Sequence, residues 1–319
     1  VIQPHSYAYL ADWNSMKDAR FLAELLRNNI RVRYAHKPFT LDGISYERGT
    51  LIITDSDNKN LKNFNTILTN ASKNHNKNLT STNTGFVESG KDFGSGYVDV
   101  IQNLKIAVLS GEPTSTLRFG EIWNFFEQQL NYPISVLNED YFSRIDLTTY
   151  DILILPDGWG YKSFLSTHIK EKIKDWVKRG GKLIVMGGAI DALTASDKDF
   201  TIKEKEIKKD SSNTISSFEV SEREQIKSAI TGAIFKATVD NTNPLAYGYD
   251  NTYFTLKLGD RAYKYLENGS AVYLSAGANQ PVSGFAGSEA KKKIAETLIF
   301  GTEALGRGQV IYMIDNPLF

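Results

Sequence analysis

The chain has 319 residues, with 37 Lys plus Arg balanced by 37 Asp plus Glu, and is long enough for two compact domains of roughly 100 to 200 residues each. Charge balance without a uniformly basic stretch excludes the electrostatic footprint of a nucleic-acid binder. The lack of any cysteine excludes thiolate nucleophiles, Cys-zinc sites and disulfides.

No apolar run approaches the ~20 residues of a membrane helix, so no membrane span is expected. The first residues read as ordinary α/β sequence with neither Met nor a signal peptide, as expected of a piece of a longer protein. In chain order the N-terminal region predicts a strand (SYAYLADW), a helix (NSMKDARFLAELLRNNI) and a strand (RVRYAHKPF). Asn14 and Ser15 are candidate caps of that helix, and Phe21, Leu22, Leu25 and Leu26 share its apolar face. A turn (LDGISYERG), a strand (GTLIIT), a polar helix (NLKNFNTILTNASKNHN) and a Gly/Ser/Thr-rich connection follow. Residues 1–102 are thus expected to form a small α/β connecting domain, and 103–319 a larger one.

From residue 103 the rhythm is regular: strand KIAVLSG, helix TLRFGEIWNFFEQQL, strands ISVLN and DILILPDG, helix IKEKIKDWVKRG, strand KLIVMGG. Short, nearly continuous apolar strands alternating with amphipathic helices predict a doubly wound, flavodoxin-like parallel sheet covered on both faces. A charged stretch near 195–230 reads as a solvated insertion. An aromatic segment, a strand SAVYLSAG, a helix AKKKIAETLIFG and a last strand QVIYMID complete the chain.

Ligands of open α/β sheets sit at the carboxyl ends of strands where strand order reverses. Three loops qualify: Ser110 to Ser115, Pro156 to Gly160, and Gly187-Gly188-Ala189. In a functional reading, Glu112 or Asp157 is a general acid or base and the glycine amides form an anion nest. In a structural reading, Gly and Pro make tight turns, Trp159 covers an apolar patch and the acids cap helices.

The SGEPTS loop lacks the Lys and glycine spacing of a P-loop. The four histidines, His5, His36, His75 and His168, form no zinc-binding pair, so no metal site is expected. His75 and His168 read as solvated. No Gly-x-Ser-x-Gly elbow occurs, so acyl transfer lacks both nucleophile and base.

The segments KIAVLSGEPTSTLRFGEIWNFFEQQLNYPISVLN, DILILPDGWG and GGKLIVMGGAIDAL resemble the class I glutamine amidotransferase-like domain, in the version found at the C-terminal end of exported zinc carboxypeptidase-like proteins of Bacteroidetes-type bacteria. IFKATVDNTNPLAYGY, YFTLKLGD, VSGFAG and GQVIYMIDNPLF are similar to the same region, and YAYLADWNSMKDARFLAELL, RVRYAHKPF and GTLIIT to the segment that joins it to the peptidase domain.

The resemblance implies a cysteine nucleophile in the turn after KLIVM, where this chain has Gly187, Gly188 and Ala189, and a histidine where Asn243 precedes Pro244 and Leu245. The nucleophile turn is therefore expected to be vacant. The zinc ligands of the peptidase do not occur in this chain, so zinc is expected only in an upstream domain and no cofactor here. The resemblance further implies a periplasmic or secreted protein, an upstream peptidase domain as partner, a peptide or glycan as ligand, and chain ends that are both cut.

The leading expectation is a non-catalytic accessory region that supports substrate binding or assembly. One alternative is a hydrolase or transferase that uses Glu112, Asp157 and Asp240, with Arg118 as anion clamp. The other is a carbohydrate- or peptide-binding module, with Trp159, Tyr247 and Tyr249 as stacking surface and Ser110 and Thr114 among the polar contacts.

Overall fold

The computed structural model describes residues 6–194, 197–206 and 218–318. Residues 195–196 and 207–217 of the charged insertion, and His5, lie outside the described residues. The chain divides into two compact units. The first comprises residues 1–104 with 123–134 and 241–249, and the second comprises 105–122, 135–240 and 250–319.

The first unit contains β1 (Ala8–Ala11), β2 (Arg33–Ala35), β3 (Phe39–Leu41), β4 (Ile44–Tyr46), β5 (Leu51–Thr54), β6 (Thr80–Thr82) and β7 (Val98–Val100). Five of these form an antiparallel sheet in the order β6-β1-β5-β2-β7. β3 and β4 make a hairpin whose tip, Asp42-Gly43, has positive φ at both residues, the geometry that matches the twist of a two-residue hairpin.

The helix Met16–Arg27 starts at Ser15, where the Asp18 carboxylate accepts the backbone N–H groups of Asn14 and Ser15 at 2.9 Å each. Its Phe21 and Leu25 pack with Leu68 and Ala71 of the helix Phe64–Asn74 on Tyr9, Leu51 and Ile53 of the sheet. The alternate residues Ala8, Leu10 and Ile52 face the second core, with Phe39, Tyr46 and Phe93.

The second unit contains β8 (Ile106–Ser110), β9 (Ile134–Asn138), β10 (Ile152–Leu155), β11 (Lys182–Met186), β12 (Ile230–Val239), β13 (Thr252–Lys257), β14 (Ser270–Leu274), β15 (Ser283–Ala286), β16 (Thr297–Leu305) and β17 (Gly308–Met313). They form one sheet in the order β13-β12-β14-β16-β17-β11-β10-β8-β9, with β15 paired to β12. β8, β10, β11 and β17 are parallel. Ala107, Leu153, Leu183 and Val310 stand in one row across them, each with no exposed surface.

The helix Thr167–Lys178 covers that face through Ile169, Ile173, Trp176 and Val177. The sheet then continues antiparallel through β16, β14, β12 and β13. One predicted helix is corrected here. The helix runs over Ser288–Ile294 and takes in only the AKKKI of AKKKIAETLIFG, Glu296 takes a φ of 52°, and β16 starts at Thr297. Pairing with both β14 and β17 outweighs the helical spacing of the apolar residues.

Candidate functional site

In β9-β8-β10-β11-β17 the chain runs from β8 to one neighbour, β9, and then back to the other, β10. This is the flavodoxin-like order, and in such sheets the ligand crevice lies at the carboxyl ends of the strands at the switch point, here β8 and β10. The loop Ser110–Ser115 leaves β8 and the loop Pro156–Gly160 leaves β10.

The two loops touch through their backbones. The Ser115 N–H donates to the Asp157 carbonyl at 2.9 Å. A Cβ on Gly158 would lie 2.1 Å from the Pro113 carbonyl oxygen, so only glycine permits this approach. The turn Gly187–Ala189 joins the same cluster, because the Gly188 N–H donates to Asp157 Oδ1 at 2.6 Å.

The turn is closed as well as lacking a side chain. Gly187 has a φ of +51°, and a Cβ there would meet Asp157 Cγ and Oδ1 at 2.2 Å each. A Cβ on Gly188 would lie 2.2 Å from the Gly158 carbonyl oxygen, and Ala189 is fully buried. The carboxylate of Asp157 thus fills the space that a nucleophile at Gly187 would need, and it accepts an N–H at the start of the helix Gly188–Thr194.

Other side chains complete the cluster. Arg261 stands between two carboxylates, with Nη1 4.0 Å from Asp157 and Nε 3.3 Å from Asp191. The buried Tyr263 hydroxyl donates to Asp191. Burial, then this hydrogen bond, push the Tyr263 phenol far above its ordinary range. Glu139, at the carboxyl end of β9, accepts the Glu112 N–H through Oε1 at 3.2 Å, and its Oε2 is buried without a hydrogen-bond partner among the described residues.

Spacing in the sequence gave no signal for Arg261 and Tyr263, since about seventy residues separate them from Asp191. Asp191 and Glu139 carried a weak signal, because each lies just beyond a strand end in a segment read for other reasons.

Each sequence-derived candidate has a definite place. The Ser110 hydroxyl donates to the Leu137 carbonyl at 3.3 Å, and the buried Thr114 hydroxyl to the Gly111 carbonyl at 2.9 Å, so both fasten the loop. Glu112 is exposed. Arg118 is engaged by Glu121, its Nη1 reaching both carboxylate oxygens at 2.9 and 3.0 Å.

Asp240 follows the last residue of β12, five strand spacings from β10, or about 24 Å at ~4.8 Å per strand. Tyr247 and Tyr249 belong to the first unit, where the Tyr247 hydroxyl donates to the His36 carbonyl at 3.3 Å and Tyr249 is half-exposed. Trp159 covers no apolar patch, contrary to the structural reading: it is 89% exposed at the lip of the crevice, in the same unit as the 76% exposed Leu117. The glycines on either side of it, Gly158 and Gly160, pack on the Pro113 backbone, where a Cβ would lie 2.1 and 2.9 Å from the nearest atom.

Two of the described histidines are engaged by carboxylates. His75 Nε2 lies 2.7 Å from Glu24 and is largely buried rather than solvated, His36 Nε2 lies 2.8 Å from Asp99, and His168 is exposed. Among the described residues no three His, Cys, Asp or Glu side chains gather to hold a metal ion. No described helix is long and apolar enough to cross a membrane.

Strand order defines the larger unit as a flavodoxin-like α/β domain, preceded by a smaller domain built on an antiparallel sheet. No protein-family model matches the sequence, and no curated protein matches it.

Among solved structures, a ThuA-like protein from Parabacteroides merdae is similar over 66% of this chain and 78% of its own, with 11% identity and a TM-score of 0.42. A glutamine amidotransferase from Thermotoga maritima is similar over 67% of this chain and 75% of its own, with 7% identity and a TM-score of 0.40. A β-galactosidase from Bacillus circulans is similar over 66% of this chain at 12% identity and a TM-score of 0.35, and the chain spans only 28% of that enzyme's length.

Proposed function

We propose that this chain is a non-catalytic, amidotransferase-like binding region that holds a glycan or peptide at the lip of its crevice. The observation that carries the proposal is the Asp157 carboxylate seated where a nucleophile's side chain would stand, bonded to the Gly188 N–H at 2.6 Å. A fold that keeps its crevice while the reactive position is filled keeps a place to bind without the means to attack. Trp159 supports the choice of ligand class, because an indole 89% exposed between two rigid glycines offers a flat face for a sugar ring or an apolar side chain.

The finer reading assigns the region to an exported zinc carboxypeptidase-like protein, as accessory to an upstream peptidase domain. The sequence resemblance supports it. His-x-x-Glu and a later His upstream of Val1 are expected, and an upstream sequence without them removes the peptidase parentage.

Binding is tested by fluorescence titration with oligosaccharides of different composition and with short peptides. An exposed indole emits at long wavelength, so an occupied Trp159 shifts the emission to the blue, and Trp159→Ala removes both the shift and most of the affinity. Undiminished binding by the Trp159→Ala protein would dismiss the indole as the docking surface.

A further inference from the structure

The antiparallel half of the large sheet carries a concavity of its own. A pocket of about 340 Å³ opens over β12 and β13, lined by Lys236, Thr238, Asn251, Thr252, Ser275 and Gln280 together with small residues. That volume is within the range of small-molecule sites. Alternation along β12 sends Phe235, Ala237 and Val239 into the core, which leaves Lys236 on the outward face.

The walls are hydroxyls and carboxamides. Gln280 Oε1 accepts from the Lys291 ammonium at 3.1 Å, so its amide N–H groups are left to donate elsewhere. The Thr252 hydroxyl donates to Asn251 Oδ1 at 3.2 Å, which likewise orients the Asn251 amide group. Among the described residues the Lys236 side chain forms no ion pair or hydrogen bond. The neighbouring carboxylates Asp240 and Asp250 are not part of the lining. Directly opposite Lys236 in the β12–β13 register stands Phe254, 56% exposed.

We infer that this pocket binds an acidic, polyhydroxylated small molecule, a uronic-acid sugar. The sugar carboxylate pairs with the Lys236 ammonium, the ring hydroxyls exchange hydrogen bonds with the Thr, Ser, Asn and Gln groups, and the C–H face of the ring reaches Phe254, which stands beside Lys236 just outside the lining. An apolar ligand would leave the polar walls unpaired, and a carboxylate adds a charge-assisted hydrogen bond to the Lys236 ammonium that a neutral sugar cannot make. A phosphate calls for a second cation or an arginine fork; the lining holds neither, and the nearby Lys291 ammonium is engaged by Gln280 Oε1. The site is independent of Trp159, which sits on the loop after β10 in the parallel half of the sheet.

Ligand-observed NMR on the whole chain, with glucuronic acid and glucose as probes, tests the inference. The acid is expected to bind about two- to fivefold more tightly than glucose, as one exposed ion pair allows, with a preference that weakens as salt is added. Lys236→Gln is expected to abolish the preference while the thermal midpoint stays unchanged, since the side chain is exposed. Phe254→Ala should weaken both probes, and Trp159→Ala neither, which separates this site from the crevice. Equal binding of the two sugars, no millimolar binding of the acid, or full retention of the preference by Lys236→Gln would each overturn it.

Discussion

The two halves of the large sheet solve burial differently. In the parallel half, β8, β10 and β11 are apolar almost throughout, with burial on both faces, as crossover helices require. In the antiparallel half, β12 alternates between the core and the outward face, and Ile234 and Phe254 of β12 and β13 are left partly exposed. The parallel half therefore places its polar groups at the strand ends, where Asp157, Asp191, Arg261 and Tyr263 meet. The antiparallel half can place them on a strand face, where Lys236 stands in its pocket.

The sharpest exception in the antiparallel half is Lys257, 1% exposed at the end of β13. It donates to Asp315 Oδ1 at 2.9 Å, while Thr255 donates to Oδ2 at 2.7 Å. Removing one partner strands a buried charge, so Asp315→Ala is expected to cost about 3–5 kcal/mol by chemical denaturation. The double replacement Lys257→Met with Asp315→Leu should recover most of that. Equal losses in the single and double variants would show that the pair does not set the stability of this half.

The closed turn of the parallel half is expected to resist repair. Gly188→Cys directs its Cβ at the Gly158 carbonyl oxygen, 2.2 Å away in the present backbone, and overpacking of this kind costs roughly 1–3 kcal/mol. A Cys variant of undiminished stability would mean that the turn is open.

The smallest effect is a dependence on alkaline pH. Burial, reinforced by neighbouring carboxylates, raises the phenols of Tyr263 (beside Asp191) and Tyr312 (beside Glu303) far above the ordinary value. Their contribution is complete below about pH 10, the unfolded tyrosine pKa. Above it the unfolded chain releases protons that the folded chain keeps, so stability falls as pH rises. Each tyrosine is expected to account for on the order of 1 kcal/mol between pH 10 and 11, and Tyr263→Phe or Tyr312→Phe should flatten the decline in the thermal midpoint.

Legibility in the sequence follows the same division. The parallel strands were readable because each is a continuous apolar run between Gly and Pro signals, as in DILILPDG and KLIVMGG. The start of β16 was not readable, because TLIFG continues the apolar spacing of the helix before it and only cross-strand partners decide between the two. In the crevice, the loops and the vacant turn could be placed from their glycines. The filling of that turn by Asp157, the engagement of Arg118 by Glu121 and the outward direction of Trp159 depend on contacts across the fold. The β12–β13 pocket left no mark at all, since its lining is drawn from three separated segments of unremarkable polar residues.

The most direct test of a filled, non-catalytic turn is release of ammonia from glutamine, with hydrolysis of a simple ester in parallel, by the whole chain. The expected result is no turnover above the uncatalysed rate, for the wild-type chain and for Glu112→Ala and Asp157→Ala alike. Turnover by the wild-type chain that either substitution abolishes would contradict it.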